Sequence, residues 1–76
     1  MVEVFTTNVD TQEQACMLLE RIHTLYTSYR ANFDLEDRDR ILRVRCDKGD
    51  LCPQQLIDLL QRNGYCASVL PDDVGV

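Results

Sequence analysis

Four cysteines, a single histidine and a closely spaced carboxylate pair are the residues of this 76-residue sequence best suited to chemistry. Cys46 and Cys52 flank the polar stretch Asp47-Lys48-Gly49-Asp50. Two thiolates can hold a soft metal ion, but a Cys-x5-Cys spacing is looser than the Cys-x-x-Cys of tight zinc sites. Cys46 falls at an inward position of a strand, where a thiol behaves as a small hydrophobe. Cys52 stands at the start of a helix, a place that favours thiol reactivity. Cys16 and Cys66 are the other pair to weigh. Both fall off the apolar positions of their elements. His23 has Leu19 and Thr27 at its i−4 and i+4 positions, neither of them a ligand, so it reads as a surface helix residue. No Ser-His-Asp or Cys-His pairing suggests a nucleophile. The expectation is a non-enzyme with no cofactor and no metal, with Cys46 and Cys52 as the remaining metal candidates.

Asp10 and Glu13 are the carboxylate pair. Their spacing matches a capping box, in which the first side chain accepts from a backbone N–H of the opening turn. The second then reaches back to the N–H of the first. Two acids there also suit the positive end of the helix dipole. Held with waters they could bind Mg²⁺ weakly, but Ca²⁺ asks for six to eight oxygens. Capping accounts for both residues without a metal.

These residues must be positioned by a short run of elements. Val2 to Thr7 alternates with β-branched and aromatic residues and predicts a strand. Val2, Val4 and Thr6 share one face, which is taken as the buried one. Glu3 and Phe5 are then left on the open face. From Asp10 to about Tyr26, Ala15, Leu18, Leu19, Ile22, Leu25 and Tyr26 recur at helical spacing. Ser28 to Glu36 and Ile41 to Cys46 predict two strands, joined by the polar turn Asp37-Arg38-Asp39-Arg40. Opposed like charges disfavour a register, and opposite charges favour one. The expected pairing is therefore Phe33 with Val44, which sets Arg30 opposite Asp47. A two-residue slip would set Arg30 opposite Arg45. Cys52 and Pro53 open a second helix, with Pro tolerated in the first turn. Asn63-Gly64 ends it. Tyr65 to Leu70 predicts a last strand with Tyr65, Ala67 and Val69 inward. The residues from 71 to 76 read as a fraying tail. The sum is one domain over residues 1–70: an α+β, ferredoxin-like βαββαβ sandwich, with a four-stranded antiparallel sheet and two helices on one face.

Composition narrows the function classes. The net charge of −5 is a poor basis for nucleic-acid binding, which draws on Lys and Arg. The aromatic residues that stack bases in RNA-recognition sheets are also missing from Ile41 to Cys46. Five of the eight basic residues (Arg38, Arg40, Arg43, Arg45 and Lys48) fall in one stretch, interleaved with Asp39 and Asp47. No run is long and apolar enough to span a membrane, and no signal-peptide pattern opens the sequence. The expected location is cytoplasmic, with free thiols rather than disulfides.

Val44, the apolar helix around Leu56-Ile57-Asp58-Leu59-Leu60, and Asn63-Gly64-Tyr65 with a short closing strand resemble the second half of a heavy-metal-associated domain. The first half is similar in length and order, so the resemblance covers about residues 2–70. It implies a ferredoxin-like fold and a metal site at the first strand-to-helix junction, built on Met-x-Cys-x-x-Cys. Soft thiolates at such a loop suit Cu(I). Here Asn8 to Glu13 contains neither Cys nor Met, so the ligands do not carry over. Asp10 and Glu13 stand as a helix cap at that position.

The expected role is therefore a non-catalytic binding or interaction domain, similar to a heavy-metal-associated domain without its motif. A protein partner would dock on the open sheet face, at Phe5, Arg30, Arg43 and Arg45 with Glu3, or a second copy would pair at an edge strand to give a homodimer. The alternatives are a metal carrier using Cys46 with Cys52 or Cys16 with Cys66, and a regulatory ligand-binding domain of the ACT type. ACT domains share the element order but often carry Gly at the first junction. Residues 6–14 contain no Gly, Arg or Lys, which also disfavours an acylphosphatase-like phosphate cradle.

Overall fold

The computed structural model describes residues 2–49 and 51–70. The expected tail and Asp50 lie outside them. The elements run β1 (Val2–Thr7), α1 (Gln12–Leu25), β2 (Tyr29–Asp34), β3 (Ile41–Cys46), α2 (Pro53–Arg62) and β4 (Ala67–Val69). The strands form one antiparallel sheet in the order β2-β3-β1-β4, the arrangement of a small ferredoxin-like α+β fold.

Register explains which side chains meet the helices. Phe5 lies opposite Leu42, and Phe33 is opposite Leu42 on the other side. Tyr29, Ala31, Leu42, Val44, Cys46 and Ala67 join Phe5 on the inner face. There they form one buried cluster with Ala15, Leu18 and Ile22 of α1 and Leu56, Leu59 and Leu60 of α2. Each fully buried large apolar side chain contributes about 1.5–3 kcal/mol. Leu25, expected on the stripe, is 60% exposed, because α1 ends there and Tyr26 caps it.

The faces of β1 are the reverse of the expectation. Phe5 is 0% exposed and Val2 is 51% exposed. Counting residues favours the Val2, Val4, Thr6 face, but it is the large Phe5 ring that packs into the cluster between sheet and helices. The Leu42 opposite Phe5 belongs to the core. Phe5 therefore leaves the expected partner face, and Glu3 shares its inner parity.

The hairpin register also differs. Arg30 lies opposite Arg45, not Asp47. The like charges are tolerated because Asp47 serves both. Its Oδ2 is 3.1 Å from Arg30 Nε, and its Oδ1 is 3.1 Å from Arg45 Nε. The apolar match of Tyr29, Ala31 and Phe33 with Cys46, Val44 and Leu42 is kept in this register.

Helix α2 closes as the sequence indicates. Gly64 has φ of 89°. The Tyr65 N–H donates to Leu60 O at 2.8 Å and the Gly64 N–H to Gln61 O at 3.0 Å, the paired bonds of a Schellman motif. β4 then spans only Ala67–Val69, shorter than the expected Tyr65 to Leu70. At the other end of α2, Cys52 supplies no side-chain cap. The Tyr29 hydroxyl instead accepts from the Cys52 N–H at 3.1 Å and donates to Gln55 Oε1 at 3.2 Å.

Candidate functional site

The junction between β1 and α1, where the resemblance places a metal, is closed by its own side chains. Thr11, not Asp10, is the N-cap, and its Oγ1 accepts from the Gln14 N–H at 3.2 Å. Gln14 Oε1 reaches back to accept from the Asp10 N–H at 3.0 Å. The capping pair is thus Thr11 and Gln14, one residue later than the expected Asp10 and Glu13, with the returning bond made to the N–H of the residue before the cap. The shift follows from Val9, which is fully buried and anchors the chain before the helix begins. Asp10 instead lies 3.3 Å from Arg40 Nη2, and Glu13 is an exposed acid of the first turn. The neighbouring polar groups are committed as well. Thr7 Oγ1 donates to Arg40 O at 2.6 Å and accepts from the Val9 N–H at 3.2 Å. Asn8 Oδ1 accepts from the Cys66 N–H at 2.9 Å. Arg40 itself adopts φ of 48°, a strained conformation for a non-glycine residue that nothing in the sequence signals.

The cysteines are dispersed. Cys16, Cys52 and Cys66 are exposed, while Cys46 is buried, its Sγ 3.2 Å from Lys48 O. Among the described residues no group of three or more His, Cys, Asp or Glu is placed to hold a metal ion. His23 is an exposed residue of α1, and its Nε2 accepts from the Ala31 N–H at 3.1 Å. That contact joins α1 to β2, so helical spacing around His23 does not signal it.

The open sheet face brings together the other expected residues. Arg30, Arg43 and Arg45 all lie there and are exposed. With Asn32 and Val2 they line a shallow depression of about 270 Å³. Val2 stands opposite Arg45 and Val4 opposite Arg43, so an apolar strip runs beside the guanidinium groups. Sequence reasoning missed Val2 and Val4 because it takes their face of β1 as the buried one, whereas Asn32 follows from alternation with Arg30 along β2. Arg30 and Arg45 are tied to Asp47, whereas Arg43 makes no ion pair among the described residues. The hydrogen bond from Arg30 is the main cause that holds the Asp47 carboxyl below its ordinary value of 3.8. Lost hydration opposes it, and the charges of Arg45 and Arg30 add to the lowering. With Phe5 turned inward, the described residues of this face include no aromatic side chain. It offers guanidinium donors, one amide and an apolar strip, and this chemistry suits carboxylates flanked by apolar groups.

Comparison of the chain with family models, with curated proteins and with solved structures gave no match. Among the described residues no helix is long and apolar enough to cross a membrane.

Proposed function

We propose that the chain is a non-catalytic binding module, similar in design to a heavy-metal-associated domain without a metal loop. Its open sheet face takes an acidic segment of a protein partner. The observation that carries this reading is Arg43. It is exposed beside Val2, Asn32 and Arg45 on a chain of net charge −5, with no carboxylate paired to it among the described residues. Charge complementarity gives such a face selectivity and a faster encounter with an acidic partner. Arg45 is already oriented by Asp47, so less of its side-chain freedom is lost when a partner binds. The lack of aromatic platforms argues against single-stranded nucleic acid. A cytoplasmic setting agrees with the exposed thiols.

The test is affinity capture from extracts of the source cell with three forms of the chain: native, R43E and R21E. Arg21 is an exposed residue of α1, on the other side of the molecule. The reading expects a partner retained by the native chain and by R21E and lost with R43E, weakened further as salt rises. A partner insensitive to R43E, or no partner at all, overturns it.

A further inference from the structure

Strand β2 forms one edge of the sheet. The Asp47 N–H lies 3.5 Å from Ser28 O, and the alternation of antiparallel bonds then assigns Arg30, Asn32 and Asp34 to β3. The backbone groups of Ala31 and Phe33 therefore point away from the sheet. The Ala31 N–H is occupied from the side by His23 Nε2 at 3.1 Å, which independently fixes that direction. A groove of about 400 Å³ runs along this edge, lined by His23, Thr27, Tyr29, Arg30, Ala31 and Asn32.

The strand sequence Tyr29-Arg30-Ala31-Asn32-Phe33-Asp34 is self-complementary when reversed on itself. A two-fold axis through Asn32 sets Arg30 opposite Asp34 of the partner subunit. It also sets Ala31, small, opposite the partner subunit's Phe33, large. Ala31 and Phe33 are the residues with outward backbone groups, so this register is in phase with the hydrogen bonding. An axis through Ala31 loses the charge match, and an axis through Arg30 opposes like charges, which destabilises a pair.

We propose that β2 pairs antiparallel with β2 of a second copy about this axis, extending the sheet, with His23 acting as a latch on the free edge. Pairing exchanges the His23–Ala31 bond in each copy for interstrand bonds between Ala31 and the partner subunit's Phe33. Edge strands are templates for this addition, and a side chain laid over the edge restrains it. Arg30 can leave Asp47 without stranding the carboxylate, because Arg45 still holds it. The open faces of the two copies then lie side by side, and the arginine depression described above stays uncovered.

Sedimentation equilibrium on the purified chain tests this. Native protein shows a concentration-dependent dimer. R30D and D34R each weaken it roughly 10-fold by opposing like charges across the axis. An equimolar mixture of the two restores dimer, because each mixed pair is again complementary. H23A tightens the dimer roughly 10-fold, since one competing bond per copy is removed. Circular dichroism establishes that each variant is folded. N32C provides a measurement independent of charge: air oxidation links position 32 of the two copies, as mapped by peptide mass spectrometry. A chain that stays monomeric at millimolar concentration overturns the proposal. So does a folded R30D and D34R pair that fails to mate, or N32C without the 32–32 link.

Discussion

Phe5 and Asp47 show how single side chains decide this structure. The Phe5 ring is fully buried between sheet and helices. Its removal leaves a cavity as well as lost transfer energy, so F5A is expected to cost about 3–5 kcal/mol. Stability of a small domain is on the order of 5 kcal/mol, so urea denaturation should find F5A largely unfolded. A loss below about 1 kcal/mol would return Phe5 to the open face. Asp47 acts through charge. Its folded carboxyl titrates below the ordinary 3.8, chiefly through the Arg30 hydrogen bond. A carboxyl lowered by folding contributes stability that is fully present above its unfolded value, and the contribution is lost as pH falls through the folded value. D47N should therefore be less stable than the native chain at neutral pH. The gap should close as pH drops below about 3.8 in thermal melts of the two forms. A gap that is constant with pH would mean that the two arginines do not depend on the charge of Asp47.

At the scale of elements, local signals served well and pairing signals poorly. Alternation and helical spacing located all six elements, and the Asn63-Gly64 stop was readable because only a left-handed residue closes a Schellman turn. The cap of α1 was misplaced by one residue, since Asp10-x-x-Glu13 and Thr11-x-x-Gln14 are equally good boxes on paper. Burial of Val9 decides between them. Consequently T11A is expected to destabilise the domain by about 1 kcal/mol, while E13A costs only a few tenths. Chemical denaturation measures both, and the reverse order would restore the Asp10 cap. The face of β1 and the hairpin register were not legible because each is fixed across strands. Phe5 needs Leu42, and the Arg30–Arg45 juxtaposition needs Asp47 to bridge it. Tyr29 is a similar case: its hydroxyl serves the start of α2 from a strand far away in sequence.

For the whole molecule, two layers leave one sheet face uncovered, and what that face carries defines the candidate site. Arg30, Asn32, Arg43 and Arg45 could be read there directly from strand alternation. Val2 and Val4 could not be joined to them until the sheet order and the β1 register were known. The junction between β1 and α1 is closed by Thr7, Asn8, Thr11 and Gln14. An anaerobic titration with Zn²⁺ or Cu(I) against a weak chelator is accordingly expected to show less than one equivalent bound. Stoichiometric binding would favour a carrier built on its cysteines. The most direct measurement is site-specific photo-crosslinking in the source cell. A photoreactive residue is placed at Val2, which lines the arginine-bearing depression away from the β2 edge, or at Glu20, exposed on α1. The account predicts a discrete covalent adduct with another protein from position 2, abolished by adding R43E, and none from position 20. Adducts from position 20 alone, or an adduct at position 2 that ignores R43E, would contradict it.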